Sequence, residues 1–176
     1  MAGMYYEEFT PGLKIDHAIR RTVTEMDNTL YSALTYNCAP LHIDAEYAKN
    51  SIFGQRIVNS MFLLGLVTGV TVIDTTIGTT LGNLGFEDIK FPKPVFHGDT
   101  IHVQTEILSR RESKKRNDSG IVFFRHVAFN QRDEIVCEMK RAGLMLKRAA
   151  AVANAASDKA KPKAKSEPKP KRTAKA

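Results

Sequence analysis

A polar segment that contains one histidine leads directly into the most apolar stretch of the chain. The residues there whose types could do chemistry are Asn37, His42 and the neighbours Asn59 and Ser60. An imidazole has an ordinary pKa of about 6.5, so it can accept or release a proton near neutral pH. A histidine at the mouth of an apolar, ligand-sized space therefore predicts acid–base chemistry on an apolar substrate.

The side chains of His42 and Asn37 differ in what they can do to a proton. An amide only donates or accepts hydrogen bonds, so His42 must be the general base and Asn37 can at most aim a water molecule. Each residue also has a structural interpretation. His42 can be a loop histidine that bonds to the backbone, and Asn37 can end a helix, because asparagine tolerates left-handed backbone geometry.

Capping residues predict two helices around these side chains. Asp27 or Asn28 can cap a first helix that ends near Tyr36. Asp44 is predicted to cap a short helix over residues 45–51. That interpretation is favoured over one in which Asp44 orients His42.

A long helix and a sheet are predicted to form the core. Residues 58–73 are apolar on nearly every helical face, so we expect this helix to be surrounded by protein. A period-two alternation of apolar residues predicts strands, with a bulge near Gly143. The predicted strands are residues 17–24, 87–93, 101–107, 121–129 and 135–146. Together these elements indicate an α+β fold in which an antiparallel sheet wraps around one long buried helix.

The size of the chain and the predicted fold bear on its assembly. With 176 residues, of which 43% are hydrophobic, the chain can form one domain with a real core. One sheet on one helix nevertheless leaves exposed sheet edges. Pairing two chains edge to edge would cover them, so we expect a homodimer, and association of two dimers stays open.

The positive charge is concentrated at the C-terminus. The net charge is +7, and residues 151–176 hold eight Lys or Arg against two acidic residues, so this segment carries six of the seven charges. The segment is rich in Lys, Ala and Pro and has no aromatic residue, which predicts a disordered tail after a domain of residues 1–150. A solubilising role is favoured. The alternative is electrostatic attraction to nucleic acid or an anionic membrane, and nucleic acid is disfavoured because no aromatic side chain offers base stacking.

Several classes of function are not supported by any motif. Cys38 and Cys137 have no metal-ligand spacing, and neither do the histidines, so we expect no metal and no disulfide framework. No glycine loop has a phosphate-binding sequence, so no nucleotide cofactor is predicted. The apolar segment 58–73 is too short and too interrupted to span a bilayer, and no secretory signal precedes it. We therefore expect a cytoplasmic protein.

Four pieces of the chain, within a match over residues 5–147, resemble the MaoC-type (R)-specific enoyl-CoA hydratases. They are Asn37-x-x-Pro40-x-His42-x-Asp44, Phe53-Gly54, Ile57-Val58-Asn59-Ser60-Met61, and Phe91-Pro92-Lys93-Pro94-Val95 with Gly98-Asp99-Thr100. The resemblance implies a hot-dog fold and the addition of water to a trans-2-enoyl thioester, or the reverse dehydration. Coenzyme A would then be part of the substrate, with no further cofactor.

The resemblance also implies roles for individual residues. The family has an Asp five residues before the His, and both hold the attacking water; this chain has Asn37 there. A backbone N–H at the start of the buried helix faces the thioester oxygen in the family, and the matching residue here is Ser60. Asn59 occupies the place of the family's usual His. A side-chain cap at Ser60 is compatible with this role, because the donor is the backbone.

Phe53, Arg56, Asn59 and Lys93 are the residues expected to bind substrate. Arg56 stands where the family often has Pro, and its cation could hold a second carboxylate, as in a mesaconyl- or itaconyl-type thioester. Coenzyme A carries several phosphates, so basic residues should surround the entrance. The candidates are Lys90, Lys93, Arg110, Arg111 and Lys114-Lys115-Arg116.

Two alternative functions stay open. A hot-dog acyl-CoA thioesterase would also use a carboxylate near the helix start, although the Pro-x-His-x-Asp order argues against it. A non-catalytic acyl-CoA-binding protein would follow if Asn37, in place of the family's Asp, had abolished the chemistry.

Overall fold

The computed structural model describes residues 3–153 of the chain. The tail predicted for residues 151–176 therefore lies outside the described residues, except for residues 151–153, which end a helical segment over residues 148–153. Within the described range, no helix is both long and apolar enough to cross a membrane.

An antiparallel sheet packs against one long helix, which confirms the predicted α+β class. The strands lie in the order β1-β4-β5-β6-β3, and β2 pairs with the start of β4. The helices are α1 (Glu25–Leu34), α2 (Pro40–Ile43), α3 (Ala45–Lys49) and α4 (Ser60–Thr75). The strands are β1 (Lys14–Asp16), β2 (Arg21–Thr22), β3 (Thr80–Lys90), β4 (Thr100–Glu112), β5 (Ser119–Phe129) and β6 (Ile135–Leu146).

The long helix α4 begins at Ser60, two residues later than predicted. Asn59 precedes it in extended backbone, and its side-chain oxygen accepts a hydrogen bond from the Met61 N–H at 2.9 Å. One face packs against the sheet through buried residues such as Val67. The opposite face is apolar but open, since Met61 is 54% and Ile73 56% exposed. The expected burial on every side is therefore wrong for a single chain.

The first predicted strand and the strand β3 differ most from the sequence prediction. Within residues 17–24 only Arg21–Thr22 (β2) is strand, and β1 lies before this range, at Lys14–Asp16. β3 runs over Thr80–Lys90 instead of residues 87–93. The bulge predicted near Gly143 lies on β3, where Asn83 pairs with Gly143 and Gly85 with Ala142. The extra residue on β3 hides its strand periodicity.

The caps of the short helices were partly predicted. Asp44 caps α3, because its carboxylate accepts a hydrogen bond from the Tyr47 N–H at 3.0 Å, which confirms the prediction. Thr24 caps α1, not Asp27 or Asn28. The Thr24 hydroxyl accepts from the Asp27 N–H, and the Asp27 carboxylate accepts from the Thr24 N–H at 2.8 Å. This reciprocal pair is a capping box, with Asp in place of the usual Glu.

A chain of polar contacts crosses the buried space between α4 and the sheet. His17 donates through Nδ1 to Asp74 Oδ2 at 2.8 Å, and its Nε2 lies 2.7 Å from Thr105 Oγ1. The same hydroxyl lies 2.8 Å from His126 Nδ1. His126 is almost completely buried, and Arg141 is buried nearby. Burial, with the positive charges of Arg141 and His17, lowers the pKa of His126 to about 3.

We expect that replacing His126 with Asn will flatten the dependence of stability on pH. The unfolded chain takes up a proton on this residue near its ordinary pKa of about 6.5, whereas the folded chain does so only near 3. Stability is therefore full above that ordinary value and falls as the pH decreases, by up to about 1.4 kcal/mol per pH unit from this one group. Urea unfolding of both proteins at neutral pH and at mildly acidic pH measures the difference. An equal loss of unfolding free energy in both proteins would contradict this assignment.

Candidate active site

His42 is a half-buried residue of α2 with a defined tautomer. Its Nδ1 lies 3.0 Å from the backbone carbonyl of Ile57. A carbonyl oxygen only accepts, so Nδ1 carries the proton and the lone pair is on Nε2. The ring is therefore bonded to the backbone on one side, as the structural interpretation expected, and presents a proton acceptor on the other.

Asn37 lies three residues after the end of α1. The left-handed residue at this helix end is Tyr36, with φ 60°, so Asn37 does not take the helix-ending role. The Asn37 side-chain oxygen accepts a hydrogen bond from the Ala39 N–H at 3.1 Å. Its amide nitrogen has no acceptor among residues 3–153, so it remains a donor for a bound water. An apolar cavity of about 350 Å³ adjoins it. The lining includes Ala33, Tyr36, Cys38 and Ile43.

The first turn of α4 presents a free backbone donor. Asn59, only 3% exposed, uses its side chain for the cap, so the cap is not Ser60 as the alternative proposed. The Ser60 N–H has no acceptor within the part of the chain that the structure describes. A free N–H at a helix start, in the positive field of the helix dipole, suits an anionic or polarised oxygen.

A second cavity of about 300 Å³ lies beside this turn. It brings together Phe53, Ser60 and Lys93, three of the predicted site residues. Gly54, with φ 68°, forms the tight turn that follows Phe53. Phe91, Leu63 and Val95 supply apolar walls. The structure thus places a cation and a free N–H on one apolar cavity, and Asn37 on the other.

Arg56 is already paired. Its guanidinium donates to the Glu25 carboxylate at 2.6 Å, and its side chain is only 18% exposed. This hydrogen bond lowers the pKa of the Glu25 carboxyl. Burial, together with the charge of Arg56, lowers the pKa of His97. Arg56 therefore connects the loop before α4 to α1 rather than presenting a free cation.

The basic residues of the β4–β5 hairpin lie far from this cavity. Val95 lines the cavity and β4 begins five residues later, whereas Arg111 and the loop with Lys115 are at the other end of β4. Twelve residue steps along a strand span roughly 40 Å. Among the basic candidates, Lys93 is the one that lines the cavity of its own chain.

Asn28 is the site residue that the sequence did not reveal as such. It is completely buried on α1, and its amide contacts both the α2 backbone and the residue before α4. A buried asparagine in a helix has no periodic signature. From the sequence, its position near the start of α1 predicted only a possible helix cap.

A family model and solved structures match this chain in sequence and in fold. The model of the MaoC like domain matches residues 7–123. The chain belongs to the MaoC-like domain family. A solved structure of the MaoC-like dehydratase from Rhodospirillum rubrum superimposes with a TM-score of 0.73 at 26% identity, over 83% of this chain and 99% of that one. A Mycobacterium tuberculosis protein described as a double hot-dog fold gives a TM-score of 0.74 at 17% identity, over 82% of this chain and 44% of that one. The predicted hot-dog fold is confirmed.

Named relatives of this MaoC-like chain act on CoA thioesters. It is 31% identical over 146 residues to the beta-methylmalyl-CoA dehydratase of Chloroflexus aurantiacus, covering 83% of this chain and 41% of that protein. It is 31% identical over 147 residues to the mesaconyl-CoA hydratase of Cereibacter sphaeroides, covering 84% and 42%. Identity to the (R)-specific enoyl-CoA hydratase of Rhodospirillum rubrum is 27% over 115 residues, covering 63% and 74%. The chain thus spans about two fifths of the first two relatives.

Proposed function

We propose that this chain adds water to the double bond of a trans-2-enoyl-CoA thioester, or catalyses the reverse dehydration. The observation that carries the proposal is the state of His42. Its Nδ1–H is committed to the Ile57 carbonyl, which leaves Nε2 as a base. The printed names of the relatives give the same class of reaction for those proteins.

The proposed reaction uses three groups. His42 Nε2 takes a proton from a water molecule, and the water oxygen bonds to C3 of the acyl chain. The Asn37 amide N–H donates to the water oxygen and aims it. Negative charge moves onto the thioester oxygen, where the Ser60 N–H and the start of α4 stabilise it. The imidazolium then gives its proton to C2, so that the elements of water are added across the double bond.

The two cavities fit this arrangement. The thioester oxygen would lie at Ser60 in the cavity with Phe53 and Lys93. The water would lie between His42 and Asn37, beside the cavity that Asn37 lines. The acyl group would therefore extend from the start of α4 towards the end of α1, along mostly apolar walls.

Replacing His42 with Ala should lower the hydration rate by about 10²- to 10⁴-fold, because a general base contributes a factor of that size. The measurement is the loss of enoyl-thioester absorbance with a small panel of enoyl-CoAs, including crotonyl-CoA. His102→Ala is the matched control, since that histidine lies on β4 outside the site. A retained rate in His42→Ala would falsify the assignment of the base.

The same assay separates the alternative functions. Free coenzyme A, trapped with a thiol reagent, would indicate a thioesterase. Binding of crotonyl-CoA without a 3-hydroxy product, together with activity created by Asn37→Asp, would indicate a binding protein that has lost its chemistry. A loss of chemistry would agree with the side-chain oxygen of Asn37, which already accepts a hydrogen bond from the Ala39 N–H.

We further propose that the acyl group carries a second carboxylate, and that Lys93 rather than Arg56 binds it. Two relatives are named for mesaconyl and methylmalyl thioesters. Arg56 is engaged by Glu25, whereas the exposed residue Lys93 lines the Ser60 cavity. Among the described residues Lys93 forms no salt bridge, so its cation is available to a ligand carboxylate.

Lys93→Met should therefore lower kcat/KM for mesaconyl-CoA by about tenfold more than for crotonyl-CoA, the usual effect of losing a charged hydrogen bond. Arg56→Met is the matched variant and should affect both substrates equally. Parallel kinetics with the two thioesters measure the ratio. An equal loss with both substrates in Lys93→Met would place the lysine at the coenzyme A moiety instead.

We also propose that two copies of the chain associate. β3 is an edge strand with exposed Leu81, Leu84 and Ile89, and the open face of α4 is apolar. Gly65 and Gly69 lie on that face and let another backbone approach closely. An unpaired strand edge and an uncovered apolar helix face both favour contact with a second copy over contact with solvent.

Sedimentation at micromolar concentration should give twice the chain mass of 19.6 kDa. Gly69→Phe, which places a large side chain on the open α4 face, should shift the protein towards the single-chain mass, because the close approach is blocked. A wild-type protein that sediments as one chain would contradict the proposal.

A further inference from the structure

The fully buried side chain of Asn28 connects the two halves of the proposed active site. Its amide nitrogen donates to the His42 carbonyl at 3.0 Å and to the Ile57 carbonyl at 3.1 Å. Its amide oxygen accepts from the Asn59 N–H at 2.8 Å. One residue of α1 therefore bonds to the helix of the base and to the backbone immediately before Ser60.

The Ile57 carbonyl links Asn28 to the base of the proposed reaction. It accepts from both the Asn28 amide and the His42 ring, the latter at 3.0 Å. The orientation of the imidazole thus depends on a carbonyl whose own position is set by Asn28. A neutral donor on the same oxygen also limits how freely that carbonyl can turn.

A third acceptor lies close to the same amide. His97 Nε2 is 3.1 Å from the Asn28 amide nitrogen, so the two amide hydrogens are shared among the His42 carbonyl, the Ile57 carbonyl and this ring. Burial and the charge of Arg56 lower the pKa of His97, which favours the neutral ring beside this donor. The Arg56–Glu25 pair joins the same two segments next to it.

We propose that Asn28 is a positioning residue, which fixes the His42 ring and the Ser60 amide relative to each other. The catalytic part of this inference rests on the proposed function; the positioning of the ring does not. Displacement of a reacting group by about 1 Å can cost about 100-fold in rate. A single buried amide that holds both groups restricts that displacement.

The experiment compares Asn28→Ala with Asn130→Ala. Asn130 is an equally buried asparagine, and its side-chain hydrogen bonds stay within its own β5–β6 hairpin. Asn28→Ala should lower kcat for crotonyl-CoA by about 100-fold with a much smaller change in KM, because orientation rather than binding is lost. Asn130→Ala should leave both constants close to wild type. An unchanged kcat in folded Asn28→Ala would overturn the catalytic part of the inference.

A second readout does not depend on activity. The ¹⁵N chemical shifts of His42 should show the Nδ1–H tautomer in the wild type and in Asn130→Ala, and a mixture of tautomers in Asn28→Ala. Asn28→Asp is a near-isosteric variant in case Asn28→Ala does not fold; it keeps the acceptor for the Asn59 N–H and loses the amide donor. A pure Nδ1–H tautomer in both Asn28 variants would overturn the positioning role. A tautomer mixture in a chain that hydrates no enoyl-CoA would support it and would refute only the proposed function.

Discussion

The start of α4 imposes the constraint on which the site depends. The first N–H groups of a helix have no hydrogen-bond acceptor within the helix, and at the start of α4 they lie among buried residues. The Asn59 side chain satisfies the Met61 N–H, and the Asn28 side chain satisfies the N–H of Asn59 itself. The Ser60 N–H is left over. Ser60 lines the cavity, so among the described residues its N–H is an unpaired donor at that cavity.

The hydrophobic core is not continuous, because polar and charged side chains lie between two apolar clusters. One apolar cluster surrounds α4 and includes Val67, whereas a second lies under the N-terminal segment and includes Phe9. The contacts from Asp74 to His126 run through the region of α4 and the sheet's inner face. Buried polar contacts of this kind require specific geometry, so they favour one register of the helix on the sheet over others.

The features that the sequence predicted best are those that depend on residues close together in the chain. The cap at Asp44, the period-two strands of the second half and the apolar character of α4 are local patterns, and each was found close to its predicted place. β3 was misplaced because glycines and an extra residue interrupt its alternation. The roles of Asn28 and Arg56 could not be predicted, because their partners are up to 69 residues away in the chain. A side chain's distant partner leaves no trace in periodicity or composition.

Asn37 stands where the resemblance implies an Asp, so the site lacks a negative charge at this position. No carboxylate pairs with the His42 ring among residues 3–153, so an imidazolium formed in the proposed reaction would be stabilised by the Ile57 carbonyl and not by an ion pair. That carbonyl also accepts from Asn28, so part of its capacity is already in use. The orientation of the ring thus rests on one backbone carbonyl instead of a charged partner, and the position of that carbonyl is restrained by the buried Asn28 amide. A site built in this way depends on the rigidity of the segment before α4 more than on local charge.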